Sequence, residues 1–222
     1  MRPYTRITVA DFVREVSLIL TSALQNKHRV TLAVPGGSTP KLYLGMLSEI
    51  DLDWNRVDVF LTDERWVDSD SDYSNELSVR KLLLQKKAEH AIFHPVYREG
   101  IHISKAVDDY NTVFDLLGAS FDLVILGMGN DSHIASVFPG DQLIFKVHQP
   151  YSVVDKEDAS GNIRISITPW AIKRTKTVML TISGDKKEDV LSSAWGSGNE
   201  ISYPVSILKH RSGRQTLLYS LD

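Results

Sequence analysis

Apolar and polar positions along this chain fall into blocks, with short apolar runs giving way to longer stretches of helical spacing. RVTLAV (29–34) is a strand-length run that ends in PGGSTP. KLYLGMLSEI then places Leu42, Met46 and Ile50 at i, i+4 and i+8, which predicts a helix with those three on its buried face. VDVFLTD (57–63) reads as the next strand. NELSVRKLLLQKK (75–87) mixes Leu77, Leu82 and Leu84 with charges and starts after Ser74, a residue suited to capping a helix. ISKAVDDYNTVFDLLG (103–118) is helical, with Ala106, Tyr110, Val113 and Leu117 on one stripe and Gly118 as its stop. FDLVILG (121–127) is a buried-strand run.

Beyond that run the pattern changes. YSVVD (151–155), RISIT (164–168) and TVMLTIS (177–183) are rich in β-branched residues and predict strands. A helix over KKEDVLSSAW (186–195) follows, and PVSIL (204–208) and TLLYS (216–220) read as two more strands. Strand alternating with helix predicts an α/β fold, a mainly parallel sheet with helices on both faces. The middle strands are continuous apolar runs, as strands covered on both sides must be. DSDSDYSN (68–75) and DKEDASGN (155–162) read as surface loops, and with no repeat or linker the expectation is one domain over residues 1–222.

Composition narrows the function classes. The chain has 222 residues, enough for a core that needs no staple, and no cysteine, which removes disulfides, thiolate nucleophiles and cysteine zinc sites. A net charge of -3 with both signs interspersed lacks the basic stripe of a nucleic-acid binder. MRPYTRITVADFVREV has no apolar core of a secretory signal, and no run reaches the roughly 18 apolar residues of a membrane span. The expectation is a cytoplasmic protein acting on a small molecule, without nucleic acid or membrane as partner.

Ligands of open α/β sheets sit beyond the carboxyl ends of the strands, and the candidate chemistry lies there. In VPGGSTP, Gly36 and Gly37 let backbone N–H groups converge, Ser38 or Thr39 can cap the next helix, and Pro40 suits its first turn. That is a phosphate cradle or an empty capped turn; it is no Walker A loop. In LTDERWVDSDSDYSN, Arg65 follows Asp63 and Glu64, a guanidinium able to grip an anion or simply paired in a solvated loop. GMGNDSHIASVFPG (127–140) fails the dinucleotide fingerprint, because Ser132 stands where its third glycine belongs. It does set Asp131 two residues before His133, a base with its orienting carboxylate or else a histidine satisfied in a turn. Arg164 and Lys187 are further cations near strand and helix ends that gain meaning only beside an anion site. His90 and His94 lack the HExxH order, and no serine occupies a GxSxG elbow. Trp54, Trp66, Trp170 and Trp195 are scattered, as core or wall residues are.

VPGGSTPKLY, FLTDERWVDSDSDYSN, FDLVILGMGNDSHIASVFPG and RISITPWAIKRTKTVMLTISGDKKEDVL, in this order over residues 34 to 191, resemble the 6-phosphogluconolactonase family. The resemblance implies a Rossmann-like sheet of the kind shared by glucosamine-6-phosphate deaminases, ribose-5-phosphate isomerases and CoA transferases, with a few extra antiparallel strands. It implies hydrolysis of 6-phosphoglucono-1,5-lactone, a sugar-phosphate lactone, with no metal and no cofactor, by a monomer or homodimer. By position, it makes His133 the general base and Asp131 its partner, and it puts the phosphate at Gly36, Gly37, Ser38 and Thr39. Arg65, Arg164 and Lys187 become the cationic contacts, and Asn75 a structural or pocket residue. The family usually reads D-G-H-T-A-S where this chain reads D-S-H-I-A-S, so Ser132 implies a turn that does not need a positive φ or a differently shaped loop.

Two rival readings remain. A deaminase of the same fold resembles HIAFNEPG and carries a glutamate where this chain has Phe138, which cannot move protons. A sugar-phosphate sensor would leave the Asp131–His133 pair without a purpose.

Overall fold

The computed structural model describes residues 2–142, 144–154, 162–211 and 214–222. In chain order its strands are β1 (Thr5–Ile7), β2 (Val30–Val34), β3 (Val57–Leu61), β4 (Asp63–Arg65), β5 (Ile92–Phe93), β6 (Leu123–Gly127), β7 (Tyr151–Val154), β8 (Arg164–Ile167), β9 (Thr177–Ile182) and β10 (Gln215–Leu221). Seven of them form a wholly parallel sheet in the order β1-β10-β9-β6-β2-β3-β5, and the other three an antiparallel sheet, β4-β8-β7. The α-helices are α1 (Val9–Asn26), α2 (Leu44–Leu47), α3 (Asn75–Leu82), α4 (Ile103–Leu116), α5 (Pro169–Arg174) and α6 (Asp185–Ser197). Among the described residues no helix is long and apolar enough to cross a membrane.

Strand alternation divides the core into two. Leu32 and Val34 of β2, with Val59 and Leu61 of β3, face α1, whose Phe12, Val16, Leu20 and Leu24 recur every four residues. Ala33, Phe60, Val124 and Leu126 point the other way, toward Tyr110 and Phe114 of α4 and toward Val154, Ile165 and Ile167 of the small sheet. The mainly parallel sheet, covered on both faces, is as expected from the continuous apolar runs.

Other expectations need correction. KLYLGMLSEI is not one helix: a 3-10 turn over Pro40–Leu42 precedes the single turn of α2. The change of pitch rotates the buried face by a residue, so Tyr43, Leu44 and Leu47 are buried while Leu42 and Met46 lie 50% and 43% exposed. PVSIL is a 3-10 helix, Pro204–His210, and not a strand. All five residues are buried, and a short run apolar on every side carries no period to separate the two forms. The sequence reading assigned neither β1 nor α1; Thr8 caps α1 by accepting the Asp11 N–H at 3.1 Å. Ser74 caps α3 as expected, accepting from the Leu77 N–H. The loop expected over 155–162 lies, but for Asn162, outside the described residues, as does the Asp155 end of YSVVD.

The site is positioned by the strand order. From β2 the chain moves outward to β3 and β5, then returns across β2 to β6 and continues to β9 and β10. Adjacent strands β2 and β6 are therefore the point where the winding reverses, the crevice in which such sheets bind ligands. PGGSTP follows β2 and GMGNDSH follows β6.

The loop after β6 is strained. Ser132 adopts φ 73° and Ala135 φ 49°, so the turn at Ser132 does require the left-handed region that the expected family glycine would enter freely. Ser132 is fully buried, and its hydroxyl finds no hydrogen-bond partner among the described residues. Replacing Ser132 with glycine should remove roughly 1–2 kcal/mol of strain, less a smaller entropic loss in the unfolded chain. The expected outcome for Ser132→Gly is a net gain of about 1 kcal/mol, read as a Tm roughly 2–4 °C higher in thermal unfolding.

Candidate active site

The loops after β2 and β6, the small sheet and the first turn of α6 surround an open cleft of about 650 Å³. Gly36, Gly37, Ser38, Thr39, Arg65, His133, Arg164 and Lys187 all line it. Of the residues expected at the site, Asp131 alone stands back, behind the histidine.

His133 is held from two sides by its own loop. Its Nδ1 lies 2.5 Å from Asp131 Oδ1, and that carboxylate also accepts the His133 backbone N–H at 3.1 Å. Burial works against the charged Asp131, but the two hydrogen bonds and the facing imidazole prevail and hold its carboxyl below the usual range. With Asp131 accepting from Nδ1–H, Nε2 is the lone-pair nitrogen, and it makes no hydrogen bond among the described residues. The ring lies flat against the backbone of Gly129, where a Cβ would come 2.2 Å from Cε1 and 2.3 Å from Nδ1. That contact explains the second glycine of GMG: any side chain there occupies the space of the imidazole.

The small sheet supplies the cations. Register places Arg65 of β4 directly opposite Arg164 of β8, and Asp63 opposite Ser166. Two like charges face to face on neighbouring strands are unfavourable, and the arrangement persists because each has local acceptors. Arg65 Nη1 donates to Tyr73 O at 3.0 Å and Asn75 Oδ1 at 3.1 Å. Arg164 Nη1 lies 3.7 Å from Asp63 Oδ2 and 3.4 Å from Ser136 Oγ. Asp63 Oδ2 in turn accepts from Ser136 Oγ at 2.7 Å, and the Ser136 N–H donates to Ser166 Oγ at 3.0 Å. This buried chain ties the histidine loop to β4 and β8.

Glu64 points to the opposite face and fastens β4 to the start of α3. Its carboxylate accepts from the backbone N–H groups of Arg65, Asn75 and Glu76 and from Ser74 Oγ, all within 3.1 Å. Burial pushes the carboxyl up to about 7 against those four donors. The clasp fixes Asn75, whose Nδ2 donates to Asp63 O at 2.7 Å while its Oδ1 rests against Gly36, where a Cβ would come within 2.0 Å. Asn75 so joins the glycine loop to the arginine strand.

Thr39 sits at the N-cap position before Pro40, yet makes no side-chain cap bond, contrary to the capping role open to it in the sequence. Lys187, in the first turn of α6, has no ion pair among the described residues, and burial lowers its pKa from the usual lysine value. His94, set aside as a metal ligand, stacks on Phe60 at 4.5 Å and bonds Asp58 at 2.7 Å. Among the described residues no group of three or more histidine, aspartate or glutamate side chains is placed to hold a metal ion.

The sequence reading missed Ser136 and Ser166. Ser166 had a readable signal, since period two in RISI puts it on the same face as Arg164. Ser136, in an irregular loop, had none.

The family model for glucosamine-6-phosphate isomerases/6-phosphogluconolactonase matches residues 5–218. A 6-phosphogluconolactonase of Rhizobium meliloti is 34% identical over 211 residues, covering 92% of this chain and 90% of that protein. A 6-phosphogluconolactonase structure from Shewanella baltica superposes with a TM-score of 0.90 at 26% identity, covering 100% of both chains. One from Thermotoga maritima gives 0.86 at 26% identity, covering 99% of this chain and 98% of that one. On a family match that runs almost from end to end, the chain belongs to the glucosamine-6-phosphate isomerase/6-phosphogluconolactonase family.

Proposed function

We propose that this chain hydrolyses 6-phospho-D-glucono-1,5-lactone to 6-phospho-D-gluconate, with His133 as the general base. The observation that carries the reading is His133 itself: oriented by Asp131 through Nδ1, seated on Gly129, and lining a cleft that three cations share. A lactone is an activated ester, so the reaction needs no covalent nucleophile. Nε2 removes a proton from water as its oxygen attacks the lactone carbonyl carbon. Asp131 stabilises the imidazolium that results, and the proton passes to the ring oxygen as the C–O bond breaks, giving a hydroxyl and a carboxylic acid that releases its own proton to solvent and leaves as the carboxylate. The carbonyl oxygen carries the transient charge, and a loop N–H or Arg65 is the donor for it.

Gly36, Gly37, Ser38 and Thr39 offer the substrate phosphate the backbone groups that precede Pro40, while Arg65, Arg164 and Lys187 supply charge. The facing arginines gain most from a dianion between them, because it relieves their mutual repulsion. Burial disfavours the charge of Lys187, and the same dianion favours it. Anchoring at the phosphate positions the distant carbonyl for attack. Phe138 supports this reading over deamination, since no carboxylate stands at that position to work with the histidine.

The test is hydrolysis of the lactone, generated in situ by a glucose-6-phosphate dehydrogenase, above its spontaneous rate and with chelator present. His133→Ala should lower kcat by about 10²–10⁴-fold; turnover near the native rate would dismiss the general-base assignment. Gly129→Ala, whose added methyl displaces the imidazole, should lose kcat to a similar degree while its circular dichroism stays native. Lys187→Ala should chiefly raise KM, by roughly tenfold for one lost charge-assisted contact. A change confined to kcat would place Lys187 outside phosphate binding.

A further inference from the structure

We propose that Phe138 is a positioning residue whose ring supports the cationic form of His133. The inference rests on the general-base reading above.

Phe138 is not among the residues that line the cleft, and it packs partly buried against the core. Its ring centroid is 4.9 Å from that of His133 at an interplanar angle of 48°, and the Arg164 guanidinium carbon lies over it at 5.7 Å. Both distances fall within the range at which an aromatic ring attracts a cation. One ring thus serves a permanent cation and a group that becomes a cation only when it has taken the proton from water. That second contact strengthens as the reaction proceeds, which is the condition for accelerating a chemical step.

The ring is within reach of both groups. Around His133, Asp131 of its own loop favours the imidazolium, whereas Arg65 of β4, Arg164 of β8 and Lys187 of α6 around the same cleft oppose it, and Asp63 of β4 offsets Arg164. Phe138, its ring centroid 4.9 Å from that of His133, adds its electron-rich ring to the side of Asp131. Draining that ring of electron density should make His133 a weaker base. Its titration midpoint then falls, the acid limb of the activity profile moves to lower pH, and the plateau rate declines.

A series of fluorinated phenylalanines at position 138 tests this without changing the shape of the site, because successive fluorines drain the ring face while leaving its volume nearly constant. His133 is followed by NMR titration, its resonance assigned by the loss of one signal in His133→Gln, and kcat is measured across pH. The expected result is a graded decline in both, reaching a midpoint about half a pH unit lower for the trifluorinated ring. Phe138→Leu should lower kcat roughly tenfold, with Phe138→Tyr restoring it. A midpoint that ignores fluorination, or a Tyr variant as impaired as Leu, overturns the proposal. Those results alongside an inactive His133→Ala would leave the general base standing and remove only Phe138; an active His133→Ala would remove both.

Discussion

The cleft depends on where one strand pair stops pairing. β2 and β6 are registered at Leu32↔Leu123 and Ala33↔Val124, and β6 then runs on to Gly127, still paired with β9 as far as Thr181. Past Ala33, β2 keeps its ladder only with β3, through Val34↔Leu61. Two adjacent strands thus turn to opposite neighbours, and the space between their ends must be closed by loops. Backbone N–H groups at this opening face no further strand, which makes it suited to an anion and costly to leave dry. The glycine loop follows β2 and the His133 loop follows β6, so both borders of the opening carry groups of the cleft.

A cleft built from separate loops needs cross-braces, and the buried polar groups provide them. Glu64 clasps β4 to α3, Asn75 rests on Gly36 and holds Arg65, and the Asp63–Ser136–Ser166 chain fastens the histidine loop to β4 and β8. Each brace joins segments far apart in sequence. Buried polar chains of this kind stabilise only when their members are satisfied, and here most are. Exceptions among the described residues include the Nε atom of Arg65 and the hydroxyl of Ser132. The first belongs to a residue at the cleft, where a ligand can meet it; the second does not, and its cost is a local defect.

How much of this was legible in the sequence depended on the range of the interaction. The strand runs and the Ser74 cap were readable because they rest on a few neighbouring residues. Asp131 and His133 were readable because two positions of spacing already bring a carboxylate to an imidazole. The broken helix at KLYLGMLSEI was misread because a single 3-10 turn shifts the face by one residue, and α1 was not assigned although Phe12, Val16, Leu20 and Leu24 keep its period. The braces were hidden for another reason. Asp63 to Ser136 spans 73 positions and Ser136 to Ser166 spans 30, and nothing in the local pattern of any of the three announces its partner.

The departure of this chain from D-G-H-T-A-S is two changes that bear on each other. Ser132 in the left-handed region costs roughly 1–2 kcal/mol, which alone would loosen the loop that carries the base. Ile134, in the place of the family's threonine, is fully buried in the core and bridges to Met128 and Val137. Burying an isoleucine side chain is worth about 1.5–3 kcal/mol relative to leaving it exposed. The gain at Ile134 thus offsets the strain at Ser132, two residues away in the same turn. The anchor and the strain act on opposite sides of His133, between them. The loop tolerates the serine because its hold on the core is stronger there, and the geometry of the Asp131–His133 pair survives the exchange.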